Sequence, residues 1–126
     1  MNNDTNIDFG KIGEDIATKY LQEKGYVIVD RNWRCGHKEI DIIARDDDSL
    51  VIVEVKTRKS NEYGDPDLAV GSDKQKMLIW AADAYVRYHN IDLDTRFDVI
   101  SIVITNDNQY IEHLEDAFYP SFISRR

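Results

Sequence analysis

Residues 39–57 read Glu-Ile-Asp-Ile-Ile-Ala-Arg-Asp-Asp-Asp-Ser-Leu-Val-Ile-Val-Glu-Val-Lys-Thr, and this stretch decides the fold. Two runs rich in Val and Ile, Glu39–Arg45 and Leu50–Thr57, flank the polar tetrapeptide Asp46-Asp47-Asp48-Ser49. That pattern predicts two strands joined by a hairpin turn. Side chains alternate along a strand, so Val51, Val53 and Val55 share one face of the second run, and Ile52, Glu54 and Lys56 share the other. Both faces begin apolar, which predicts a central strand covered on both sides. In the first run Ile40 and Ile42 fall on one face and Glu39, Asp41 and Ile43 on the other. Closing the hairpin brings Asp41 close to Glu54.

Upstream, the spacing predicts a helix from about Phe9 to Lys24. Ile12, Ile16, Ala17, Tyr20 and Leu21 lie on one arc, and Gly25 follows as a stop. Tyr26–Asp30 reads as a strand that continues irregularly through Arg34. Downstream, residues 58–72 are polar and carry Gly64, Pro66 and Gly71, which predicts a loop with a short turn near Leu68–Val70. Ser72 or Asp73 is expected to cap a second helix over 73–89. Arg96–Ile104 reads as a strand, Asn106-Asp107-Asn108 as a turn, and Gln109–Leu114 as a final strand. The expected fold is α/β, a mixed sheet flanked by helices in the order αβββαββ. One domain is expected over 9–116, with a loose N-terminal end at 1–8 and a tail at 117–126.

The composition fits this reading. Of 126 residues, 42% are hydrophobic, which suffices for one core. An aromatic content of 10%, with many Val and Ile, excludes a disordered chain. Cys35 stands alone, so a disulfide scaffold is excluded, and an idle thiol is expected there. No apolar run approaches a membrane span, and the polar start MNNDTNIDFG is no targeting signal. A cytoplasmic protein without a membrane partner is the expectation. His37, His89 and His113 lack zinc spacing, Asp46–Asp48 lacks the Gly and Glu of an EF-hand loop, and there is no nucleotide-binding glycine motif.

The chemistry lies in the carboxylates. Two of them in a hairpin of Val and Ile repel each other unless something positive neutralises them. Lys56 could do so within an internal salt-bridge cluster, and so could a divalent metal. Mg²⁺ takes one or two carboxylates plus waters and substrate phosphates, and Asp41, Glu54 and the Val55 carbonyl supply that number of oxygens. Lys56 beside them would orient an attacking water or steady transition-state charge. On the first helix, Glu14 projects about 20° from Leu21, at the margin of the apolar arc, from which it can reach toward the sheet. On the second helix, Gln75 projects into the apolar arc between Ala82 and Val86, in the first turn.

Read together, several blocks carry a resemblance. They are Gly10-Lys11-Ile12-Gly13-Glu14 with Ala17, Tyr20-Leu21 and Gly25-Tyr26, then Asn32-Trp33-Arg34, Glu39-Ile40-Asp41-Ile42-Ile43 and Val53-Glu54-Val55-Lys56-Thr57-Arg58. Gly64-Asp65-Pro66 with Ala69-Val70, Lys74-Gln75-Lys76 and Arg96-Phe97-Asp98-Val99-Ile100 complete the set. From about residue 9 to residue 104 the chain resembles the YraN-like family of small bacterial proteins. That family is described as predicted endonucleases of the PD-(D/E)XK superfamily, distantly similar to archaeal Holliday junction resolvases. The resemblance implies a restriction-endonuclease-like fold and a Mg²⁺- or Mn²⁺-dependent DNA endonuclease, acting on branched or recombination and repair DNA. By the same resemblance Asp41 is the motif's Asp, Glu54 its second acid and Lys56 its Lys. Glu14 is the helix carboxylate and Gln75 the auxiliary polar residue. Ile40 stands where the superfamily motif has Pro, which carries no chemistry. His37-Lys38 replaces a Gly, which alters only the turn. The alternative from another class is a non-catalytic nucleic-acid-processing accessory or interaction protein that keeps the nuclease fold.

The formal net charge of −8 argues at first against DNA. The charge is uneven, however. Residues 31–59 hold seven basic and six acidic residues, and three of those acids are in the turn. Arg31, Arg34, Lys38, Arg58 and Lys59, with Lys74 and Lys76 on the next helix, form the expected DNA-contact set. Trp80 lies on the polar arc of the second helix with Lys76, Asp83 and Arg87. It is expected to be covered by the tail 117–123 or to face a partner, either DNA or a second copy. A homodimer is expected by analogy with enzymes that cut two strands symmetrically. The loop 58–72, with Arg58, Lys59 and Tyr63, borders the proposed site.

Overall fold

The computed structural model describes residues 5–60 and 64–120, with the side chains of 5–8 excepted. The first four residues of the expected loose end, Tyr63, and residues 121–126 of the expected tail lie outside the described residues. Seven elements follow in the expected order: α1 (Thr5–Glu23), β1 (Val27–Cys35), β2 (Lys38–Asp46), β3 (Ser49–Lys59), α2 (Ser72–His89), β4 (Asp94–Ile104) and β5 (Gln109–Phe118). The strands form one mixed sheet in the order β1-β2-β3-β4-β5. Only the β3–β4 pair is parallel, and α2 supplies the crossover between them. The αβββαββ order and the five-stranded sheet between two helices agree with a restriction-endonuclease-like fold.

As the alternation of its residues requires, β3 is central and covered on both faces. Val51 and Val53 pack with Ala17 and Leu21 of α1, together with Ile100 and Ile102 of β4. Leu50 and Ile52 pack with Leu78, Ile79, Ala82 and Tyr85 of α2. Glu54 and Lys56 therefore emerge on the α2 face, at the far end of the strand.

Four local readings need correction. Ile40 belongs to the α2-side core and Ile42 to the α1-side core, so they do not share a face. The two-residue alternation breaks at Asp41, and Asn32, between the ladder partners of Ile40 and Ile42, takes φ 52°. Ile12 is half exposed (49%), because the buried arc of α1 is centred on Gly13, Ala17 and Leu21. The N-cap of α2 is Gly71, with no side-chain cap hydrogen bond, so neither Ser72 nor Asp73 caps it. Residues 64–71 contain no turn near Leu68–Val70, since side chains rather than a local turn hold that segment.

Two element ends also move. The α1 helix starts at Thr5, ahead of the apolar arc that marks it in the sequence. Strand β5 runs past Leu114 to Phe118. Val99 pairs with Leu114 and Phe97 with Phe118, so β5 has two extra residues, and Asp116 takes φ 58° in that bulge. Phe118 then stacks on Phe97 with ring centroids 4.9 Å apart. Ala117 and Phe118 are thus part of the core rather than of a tail.

Candidate active site

The site forms where β2 and β3 part. Their ladder ends at Ile42↔Val53, while β2 continues along β1 and β3 continues along β4. Beyond that point the Val55 N–H has no β2 carbonyl to bond. It donates instead to Asp41 Oδ2 at 2.9 Å. A side chain thus completes the ladder, which holds the Asp41 carboxyl at the fork with little freedom.

That position is unfavourable for a charge. Burial, the charge of Glu54 and, more weakly, that of Glu14 push the Asp41 carboxyl up to about 7, against the Val55 hydrogen bond and Lys74. Glu54 is itself buried, at 8% exposure. Its Oε2 lies 3.1 Å from Lys74 Nζ, in the first turn of α2. The hairpin thus brings Asp41 and Glu54 together as the strand pattern predicts. Lys74, placed by sequence among the DNA contacts, is the cation on Glu54.

Glu14 reaches the same site from α1 because of Gly13. A Cβ on Gly13 would collide with the Thr57 side chain, its Oγ1 first. Only a residue without a Cβ lets α1 approach β3 so closely, and this approach sets Glu14 near the strand end. Glu14 Oε1 lies 3.6 Å from Arg31 Nη2, and the same guanidinium holds Asp15 Oδ1 at 2.8 Å. Arg31 is therefore committed to α1 carboxylates and does not present a free charge for DNA. Its Nε is buried without a partner among the described residues.

Lys56 points along the same face but is held by the following loop. Its Nζ donates to the Ala69 carbonyl and to Asp67 Oδ2, the latter at 3.2 Å. Two further side chains fasten that loop. Arg58 donates to the Asp65 carbonyl at 2.8 Å, and Gln75 Nε2 to the Val70 carbonyl at 2.8 Å. Gln75 therefore positions the loop beside the site instead of aiming its amide at the carboxylates. Of the remaining expected DNA contacts, Arg34 lies 3.7 Å from Glu39. Lys59 and Lys76 are exposed and Lys38 half-buried, with no carboxylate partner among the described residues.

A divalent cation would find hard oxygens at Asp41 and Glu54, with the Val55 carbonyl beside them. The donor chemistry fits: burial and, after it, the neighbouring Glu54 raise the Asp41 carboxyl, and a bound cation would offset both. Among the described residues, no group of three or more His, Cys, Asp or Glu is set to hold a metal ion. The third carboxylate, Glu14, stays with Arg31.

A second charged cluster escaped the strand reading. Asp98, on the α1 face of β4, is buried and accepts from Arg96 Nε and Nη2, both at 2.9 Å, and from the Asp116 N–H at 3.0 Å. It also lies 2.7 Å from His113 Nε2. Arg96 and Asp98 stand two apart on one strand face, the same signal that singled out Glu54 and Lys56. The signal is visible in the sequence but carries no chemistry of its own.

Residues 13–102 match the family model described as "Uncharacterised protein family UPF0102". Similar relatives include a "UPF0102 protein" of Phocaeicola vulgatus, 48% identical over 113 residues, which cover 90% of this chain and 93% of that protein. A "UPF0102 protein" of Bacteroides thetaiotaomicron is also 48% identical, with the same coverage. Another from Syntrophus aciditrophicus is 46% identical over 114 residues, 90% of each chain. No helix among the described residues is long and apolar enough to cross a membrane.

Proposed function

The chain belongs to the UPF0102 family, and for it we propose a Mg²⁺- or Mn²⁺-dependent DNA endonuclease of the PD-(D/E)XK type. The observation that carries this reading is the fork between β2 and β3. There Asp41, locked to the Val55 N–H, meets the buried Glu54, and burial together with that second carboxylate raises the Asp41 carboxyl. Asp41, Glu54 and the Val55 carbonyl would hold the ion, and Glu14 would join when Arg31 releases it. When bound, the ion supplies Lewis-acid stabilisation of the phosphodiester and a lowered pKa for a bound water.

The chain's own residues do the rest. Val55 fixes the orientation of Asp41 through its N–H. Lys74 holds Glu54 in place through its ion pair, and would be free for a substrate phosphate with a cation on that carboxylate. Lys56, released from Asp67 and Ala69, orients the attacking water and steadies the developing charge. The loop 64–70 brings Arg58 to the border of the site, where it can meet the flanking phosphate.

The second reading is a DNA-processing accessory protein without catalysis. It is favoured by the present partners of the site: Lys74 on Glu54, Arg31 on Glu14 and the loop on Lys56. One experiment separates the two. Branched, single-stranded and duplex DNA are incubated with the protein in Mg²⁺ or Mn²⁺, beside Glu54→Ala and Lys56→Ala. Cleavage lost in both variants supports the enzyme. No cleavage of any substrate by the wild type leaves the accessory reading.

A further inference from the structure

The outer face of α2 carries aromatic side chains that the fold does not cover. Trp80 is 50% exposed and Tyr88 80%. They stand eight residues apart, about 12 Å along the helix and roughly 80° around it, with Ala84 midway on the same i, i+4 row. Between them Ala84, being small, opens two clefts against the end of β1. One is lined by Trp80, Lys38 and Arg87 and has a volume of about 520 Å³. The other is lined by Trp33, Arg34 and Tyr88 and has a volume of about 360 Å³. Both are large enough to take a flat ring. Pro120, at the end of the described residues, lines the neighbouring hollow with Ile79, Val86 and Phe97, and that hollow shares Asp83 with the first cleft.

The charge around the stripe is positive. Arg34, Lys38 and Arg87 border the clefts, and Lys76 lies one turn before Trp80. Against these four stand Glu39 and Asp83, each in an exposed ion pair with one of the arginines. Such pairs open readily. Exposed aromatic faces interleaved with cations are suited to a ligand that offers flat rings and negative charge together. A second copy of the chain fits poorly. A two-fold contact would set this basic patch against itself, where like charges repel.

We propose that this face of α2 stacks the unpaired bases of a single-stranded DNA segment, with Arg34, Lys38, Lys76 and Arg87 on its phosphates. The proposal rests on the nuclease reading and names its substrate class: DNA with a single-stranded stretch next to the cleaved strand. The stripe leads away from the site along one helix. Lys74, on Glu54, lies six residues before Trp80, about 9 Å along the axis and roughly 120° around it, so the strand would have to wrap the helix between them. Trp80 and Tyr88 would each hold a base by stacking, and the cations would make the binding salt-sensitive.

The test is binding without cleavage. Fluorescence anisotropy of a labelled oligo(dT) and of a hairpin duplex of equal length is followed in chelator, with wild type, Trp80→Ala, Tyr88→Ala, Trp80→Phe and Glu54→Ala. Both aromatic positions are on the surface, so unchanged melting curves serve as the folding control. The expected result is preference for oligo(dT), a loss of roughly ten-fold in affinity for each Ala variant, and retention in Trp80→Phe. Glu54→Ala should bind no more weakly than wild type, because it frees Lys74 for a phosphate. Equal affinity for duplex and single strand, or no loss in Trp80→Ala, overturns the proposal. So does light scattering that gives a dimer which Trp80→Ala dissolves, since the stripe would then be a self-association face. The two readings fail separately. Trp80-dependent binding without cleavage of any DNA sinks only the enzyme. Glu54-dependent cleavage with Trp80-independent binding sinks only the stacking face.

Discussion

The carboxylate of Asp41 accepts the main-chain N–H of Val55 at 2.9 Å, at the point where β2 and β3 stop pairing. The same contact that orders the group leaves it beside Glu54. Burial first, and the charge of Glu54 second, keep the Asp41 proton on the folded chain up to about pH 7, while an unfolded Asp releases it near 3.8. Between those values the folded state binds more protons than the unfolded one, so stability falls as pH rises through that window. In chelator, Asp41→Asn should remove this slope and stabilise the protein at pH 8 by on the order of 2 kcal/mol, a rise of several degrees in Tm. Mn²⁺ should raise the Tm of wild type and not of the variant. Thermal melts from pH 4 to pH 8 check both; a variant less stable than wild type at pH 8 would show that Asp41 is compensated.

Gly13 sets the distance between α1 and β3. A Cβ there would lie 2.8 Å from both Cβ and Cγ2 of Thr57 and closer still to its hydroxyl. Gly13→Ala should therefore destabilise by roughly 1–3 kcal/mol, although Ala is the better helix former. Thr57→Ala should relieve only part of that cost, since its own Cβ remains within 2.8 Å. A double-mutant cycle by urea unfolding measures the coupling, and strict additivity would show that the helix simply moves away.

The depth to which the site could be read in the sequence follows from these contacts. Glu54 and Lys56 were legible because β3 is a regular central strand, where alternation alone assigns faces. Asp41 was legible as a neighbour of Glu54 through the hairpin, but its bond to Val55 was not. That bond needs the ladder to end at Ile42↔Val53, and no local propensity signals such a break. The same break reversed the relation of Ile40 to Ile42. In the sequence Lys74 and Arg31 are indistinguishable from surface cations, because sequence gives charge without direction. Helix geometry and the close approach at Gly13 turn them onto Glu54 and Glu14. The sequence pattern of β5 stops short because Glu115 and Asp116 interrupt it; the bulge there returns Phe118 to the core.

Gln75 tests whether the loop over Lys56 is held by side chains. Its amide donates to the Val70 carbonyl from α2, as Arg58 donates to Asp65 from β3. Gln75→Ala should lower global stability by only about 1 kcal/mol, the net worth of one hydrogen bond. Limited proteolysis within 64–71 should accelerate several-fold, because local opening there depends on few contacts. Unchanged cleavage with a large loss of Tm would instead make Gln75 a core residue.

Asp98 should titrate against stability in the opposite sense to Asp41. Burial alone would raise its carboxyl, but hydrogen bonds from His113 and Arg96, and from the Asp116 N–H, outweigh burial and hold it below 3.8. A depressed carboxylate contributes stability that is whole above the unfolded value and is lost as pH falls through the folded one. Asp98→Asn leaves Arg96 and His113 facing a neutral amide in a buried site. The expected cost at pH 7 is about 3–5 kcal/mol, as for a buried ion pair that loses one partner. Urea unfolding at pH 7 and near pH 3 measures it. The gap between variant and wild type should narrow as pH falls below 3.8, where the unfolded chain takes up the proton that folded Asp98 still refuses. A constant gap would assign the cost to packing around β4 and β5 rather than to the charge of Asp98.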